Sequence, residues 1–137
     1  MYASIIVPVD LAHAEGLEKA LKTAADLAKH YAAPITYLGV TSALPGSVGH
    51  NPAEYQTMLE TFAAGEARKY GIQSTAHIVL SHDPSVDLNA ALLRAIHDSG
   101  ADLVVMASHI PGIIEHLFSS HAGWIASHAK VSVMVVR

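Results

Sequence analysis

The chain contains no cysteine. Disulfides, thiolate-held metals and cysteine nucleophiles are therefore excluded, and the composition fits a reducing cytoplasm. Aromatic residues are scarce, at 6%, so packing falls to Ala, Val, Ile and Leu, as in a parallel sheet covered by helices on both faces. Positive charge is not in excess either. The net charge of −4 is the wrong sign for a nucleic-acid surface, which needs clustered Lys and Arg. No apolar run approaches the ~18 residues of a membrane span. The opening Met1-Tyr2-Ala3-Ser4-Ile5-Ile6-Val7 lacks a basic leader region and meets Pro8 and Asp10 soon after, so it reads as a strand rather than a signal peptide. The expectation is a cytoplasmic protein with no nucleic-acid or membrane partner.

What the chain does have is 51% hydrophobic residues in a length of 137, enough for one core and one domain spanning 1–137. Residues 4–9 form a short apolar run that ends at Asp10, the pattern of a strand buried on both faces. From Glu15 to Tyr31 apolar residues recur at Leu17, Ala20, Leu21, Ala24, Ala28 and Tyr31, with charged residues between them, which predicts an amphipathic helix. A second strand follows at 35–41, then a Pro- and Gly-containing loop at 42–52. A helix at 53–70 stops at Gly71, a residue suited to a left-handed cap. Residues 74–80 make a third strand. Asp83-Pro84 opens a helix with Val86, Ala90, Leu93 and Ile96 on one face. A fourth strand covers 102–107, a fourth helix about 120–128 and a fifth strand 131–136. The order, βα four times and then β, predicts an α/β fold: a Rossmann-like, doubly wound, five-stranded parallel sheet with four helices. Ligands of such sheets bind over the strand C-termini, where Asp10, Val40-Thr41 and Ala107-Ser108 lie.

Four separated segments, "IIVPVD", "GADLVVMASH", the loop within 106–123 and "HAKVSVMVVR", together resemble the universal stress proteins, nearest the small bacterial F- and G-type members. In those members the loop reads roughly S-x-x-P followed by L-L-G-S-N-A. Here the corresponding residues are Ser108, Pro111 and Leu117-Phe118-Ser119-Ser120-His121-Ala122. The resemblance implies a domain that dimerises and, in one branch, binds ATP through a G-x2-G-x9-G-[S/T] loop. Carried over by position, Asp10 holds ribose, and Pro8, Val9, Val40 and Thr41 wall the adenine. Ala107 and Ile110 replace the first two loop glycines and Ser119 the last; Ser120 is kept, and Gly112 matches a further glycine. Each lost glycine puts a Cβ where backbone N–H groups approach phosphate. The helix start near Ser120 still favours anions.

Each candidate also has a plain role. Asp10 suits a turn cap, and Ser119 and Ser120 suit helix caps. The ten histidines contain no HExxH and no i, i+4 pair, so no metal site is expected. His109 and His121 flank the loop and are donors to an anion when protonated, below about pH 6.5. Ser108, His109 and Asp10 include the residue types of a hydrolase, but there is no G-x-S-x-G elbow; at most slow ATP hydrolysis accompanies binding. Trp124 is expected to pack beneath the fourth helix. The uncharged last strand, Val131–Val136, is placed at the sheet edge by the family's strand order, where an antiparallel twofold pairing gives a homodimer. The functional expectation is an ATP-binding stress sensor or stability factor, with Mg a possible companion. Ligand is expected to order the 42–52 and 108–119 loops and so change the surface seen by an unknown protein partner. A nucleotide-free interaction protein and a weak ATPase remain as alternatives.

Overall fold

The computed structural model describes residues 1–41, 51–82, 84–108 and 119–137, with only the backbone of residues 84, 85, 119 and 120. The expected loops at 42–52 and 108–119, and His109, Ile110, Pro111, Gly112, Leu117 and Phe118 with them, lie largely outside this set. Five strands, β1 (Ile5–Pro8), β2 (Ile35–Thr41), β3 (Ser74–Leu80), β4 (Leu103–Ala107) and β5 (Ser132–Val136), alternate with four helices, α1 (Glu18–Tyr31), α2 (Pro52–Tyr70), α3 (Pro84–Ser99) and α4 (Ser119–His128). All neighbouring strand pairs are parallel, in the order β3-β2-β1-β4-β5. The fold is the doubly wound sheet that the element order predicts.

The alternation of side chains along a strand explains why both faces are apolar. Ile5, Val7, Ile35, Tyr37, Leu103 and Val105 point to one face and pack with Leu21, Ala24 and Ala28 of α1 and Tyr55 and Leu59 of α2. Ile6, Leu38, Val104 and Met106 point to the other and pack with Leu88, Leu92 and Ile96 of α3 and Ile125 of α4. Gly71 caps α2 in the left-handed conformation (φ 66°), its N–H donating to the Ala67 carbonyl.

Two details differ from the sequence expectation. In α3 the buried stripe is Leu88, Ala91, Leu92, Ala95 and Ile96, while Ala90 is exposed and Val86 is 81% exposed. Both stripes are apolar, and the sheet selects the one containing Leu88. The first helix also starts late: Leu11–Leu17 is 3-10, and α-geometry begins at Glu18. Asp10 opens this segment: its side chain accepts the Ala12 N–H and its carbonyl accepts the His13 N–H, closing a tight turn, and the backbone leaves helical values at His13 (φ −132°, ψ 31°).

Candidate functional site

The sheet order reverses at β1. The chain winds from β1 to β2 and β3 on one side, while β4 and β5 lie on the other. The connection after β1 leads to α1 on one face, and that after β4 leads to α4 on the opposite face. Helices that follow neighbouring strands onto opposite faces mark a switch point at the C-terminal ends of β1 and β4, where such sheets bind ligands in a crevice.

Asp10 stands at this point. Its Oδ1 accepts the Ala12 N–H at 3.1 Å, and its Oδ2 lies 2.8 Å from His13 Nδ1. The turn-cap role is therefore realised, and a ligand role has to share the same carboxylate. Pro8 is buried. It alternates in register with Ile6, as Val40 does with Leu38, so both belong to the α3–α4 face. Val9 is buried in the opposite core, and its N–H donates to the Leu38 carbonyl at 2.8 Å. Thr41 ends β2, its carbonyl accepting the Ser81 N–H at 2.9 Å. Of the four residues proposed for the adenine wall, the fold thus brings the side chains of Pro8 and Val40 to one face and sends Val9 to the other.

At the end of β4, Ala107 is buried and its methyl packs in the α1–α2 core. The Ser108 N–H donates to the Val136 carbonyl at 2.8 Å, so the sheet already uses it. Ser119 and Ser120 form the first turn of α4, whose outward N–H groups carry the helix dipole's positive end. His121 follows, half-buried, with Nδ1 hydrogen-bonded to Asn89 Oδ1 across the α3–α4 seam. Trp124 is partly buried against the α3–α4 core and stacks on His128, with ring centroids 3.9 Å apart.

Two electrostatic consequences follow from burial. Tyr55 is pushed up to about 12 by desolvation, with the nearby Asp10 carboxylate adding to the rise and a hydrogen bond from the Leu11 backbone opposing it. Burial pushes His121 down. A histidine of lowered pKa contributes stability that is complete above its ordinary value of about 6.5 and is lost as pH falls from there through the folded value. The urea midpoint of the wild type is thus expected to fall between about pH 7.5 and about pH 5.5 by more than that of His121→Gln, which has no imidazole to protonate. Equal falls in the two proteins would contradict this assignment. The same burial works against His121 as a charged anion donor.

Tyr55, His13 and Asn89 are not among the residues that the sequence singles out. The Asp10-Leu11-Ala12-His13 spacing is a local signal for the second; the other two depend on contacts between distant segments. Among the described residues no three His, Asp or Glu side chains are grouped to hold a metal ion, and no helix is long and apolar enough to cross a membrane.

The strand order and the helices on both faces define the class: a doubly wound α/β domain. The model of the Universal stress protein family matches residues 1–137, and the chain belongs to that family. Universal stress protein G of Shigella flexneri is 29% identical over an alignment of 148 residues, covering 100% of both chains. Among solved structures, a universal stress protein in complex with cAMP superposes with a TM-score of 0.71 at 18% identity, covering 99% of this chain and 97% of the other. The universal stress protein from Archaeoglobus fulgidus in complex with dAMP gives a TM-score of 0.68 at 21% identity, covering 99% and 98%.

Proposed function

We propose that this protein binds an adenine nucleotide in the crevice at the C-terminal ends of β1 and β4 and acts by occupancy, as a stress-response sensor or stability factor, rather than by turnover. The observation that carries this reading is the position of Asp10, a carboxylate held by its turn at the point where the strand order reverses. The ligands of the similar structures, cAMP and dAMP, support the adenine class. ATP carried with Mg2+ is the larger ligand proposed, its phosphates directed at the start of α4. Calorimetric titration with AMP and with Mg-ATP tests this: micromolar binding is expected, and no heat at millimolar ligand would contradict it.

The proposed assembly is a homodimer through β5. This strand is an outer edge of the sheet, and Met134 and Val135 are each 38% exposed, so an unpaired row of backbone groups lies beside apolar side chains. A twofold antiparallel pairing of 131–136 closes both edges at once. Met134→Lys places like charges near the twofold axis and is expected to turn a dimer into a monomer in sedimentation equilibrium. A wild-type monomer at micromolar concentration would contradict the assembly.

A further inference from the structure

The turn after β1 has three consecutive N–H groups to satisfy, those of Leu11, Ala12 and His13. Asp10 takes two of them: its Oδ1 accepts from Ala12 at 3.1 Å and its carbonyl accepts from His13 at 3.0 Å. The third, the Leu11 N–H, donates to the hydroxyl of Tyr55, which comes from the start of α2. In a trans peptide the C=O and the following N–H point in opposite directions. The Asp10–Leu11 peptide is therefore held at both ends, by His13 on one side and by Tyr55 on the other. Its orientation sets ψ of Asp10, which is 104°, and so sets how Asp10 leaves the strand.

The sheet places the hydroxyl. The Val9 N–H donates to the Leu38 carbonyl at 2.8 Å, which brings Gly39 beside the end of β1. Tyr55 occupies the space that a side chain at 39 would fill: a Cβ there would stand 2.7 Å from Tyr55 Cε1 and 2.9 Å from its hydroxyl oxygen. The ring is buried in the core between α2 and the sheet, so it reaches from α2 over β2 to the turn. A phenylalanine would fill the same seat. What the hydroxyl adds is the contact with the backbone of the turn.

We propose that Tyr55 is a positioning residue for ligand binding: its hydroxyl, seated over Gly39, holds the Asp10–Leu11 peptide and thereby aims the Asp10 carboxylate at the ligand. This rests on the nucleotide reading above and goes beyond it by naming a residue that acts on the ligand through Asp10. A role confined to packing and stability is the competing account.

The test is calorimetric titration of AMP into wild type, Tyr55→Phe, Asp10→Ala and the double variant, each checked by thermal melting, with amide hydrogen exchange of wild type and Tyr55→Phe. Tyr55→Phe is expected to weaken AMP binding roughly three- to ten-fold, the effect of one hydrogen bond. In the Asp10→Ala background the same substitution is expected to change affinity by less than about twofold, because no carboxylate is left to position. The Leu11 N–H is expected to be protected in the wild type and to lose protection in Tyr55→Phe relative to the Val9 N–H, whose partner is unchanged. Wild-type affinity in Tyr55→Phe, an equal loss in the Asp10→Ala background, or a Leu11 N–H unprotected in the wild type would overturn the role of Tyr55 and leave nucleotide binding standing. A wild type that binds no AMP would overturn both.

Discussion

Gly39→Ala lowers the stability of the fold by about 1–3 kcal/mol, the usual effect of overpacking a filled core, and Gly39→Val lowers it further. A Cβ at position 39 would stand 2.7 Å from Tyr55 Cε1, 2.9 Å from the Tyr55 hydroxyl oxygen and 3.2 Å from Leu59 Cδ2. The first two distances are shorter than packed atoms adopt. Neither partner has room to give way, because Tyr55 and Leu59 are buried between α2 and the sheet. Moving the ring would also disturb the phenol beside Leu11 and Asp10, so damage in the core reaches the candidate site. In a chain of this size the loss corresponds to a fall in Tm on the order of 10 °C. Tyr55→Ala should cost less in the Gly39→Ala background than in the wild type, a coupling that a double-mutant cycle measures directly. Additive effects of the two substitutions would show that the ring and the glycine do not share this space.

Asp10→Ala is expected to weaken adenine-nucleotide binding by one to two orders of magnitude, the range for a hydrogen bond to a charged acceptor, about 1.5–3 kcal/mol. Its stability should fall by less, about 1 kcal/mol, since the carboxylate also caps the Ala12 N–H and cap loss has that magnitude. The separation of the two effects is the informative part. Asp10→Asn keeps an oxygen that can cap the turn but removes the charge. It should therefore recover most of the stability and only part of the affinity, as read from a melt and a calorimetric titration of the same preparation. Stability lost with affinity unchanged would make Asp10 a turn cap and nothing more.

These expectations draw unequally on what the sequence makes legible. The sequence bounds the apolar runs of β2 and β3 at 35–41 and 74–80, where the strands lie, because Pro34 and Gly71 punctuate their approaches and both runs are rich in strand-forming residues. The buried stripe of α3 is not legible in the sequence, because apolar residues occupy two adjacent faces and only the position of the sheet distinguishes Leu88 from Val86. Asp10 was legible as the end of a buried strand. The pairing of His121 with Asn89 was not, since the two are 32 residues apart and meet only when α3 and α4 pack. Nor was the use of the Ser108 N–H by Val136, which depends on β5 lying beside β4. The seat of Tyr55 on Gly39 has the same origin: a glycine inside a strand signals a close approach, without saying what approaches.

The most direct measurement of the central claim is the change in backbone amide chemical shifts when AMP is added to the isotopically labelled protein. The account predicts changes concentrated at the C-terminal ends of the strands and the start of α4: residues 9–13, 40–41, 107–108 and 119–122. Changes concentrated instead at the opposite end of the sheet, in the hollow lined by Ala28, Lys29, Ala33, Gly71 and Ile72, would contradict it, as would a spectrum that AMP leaves unchanged.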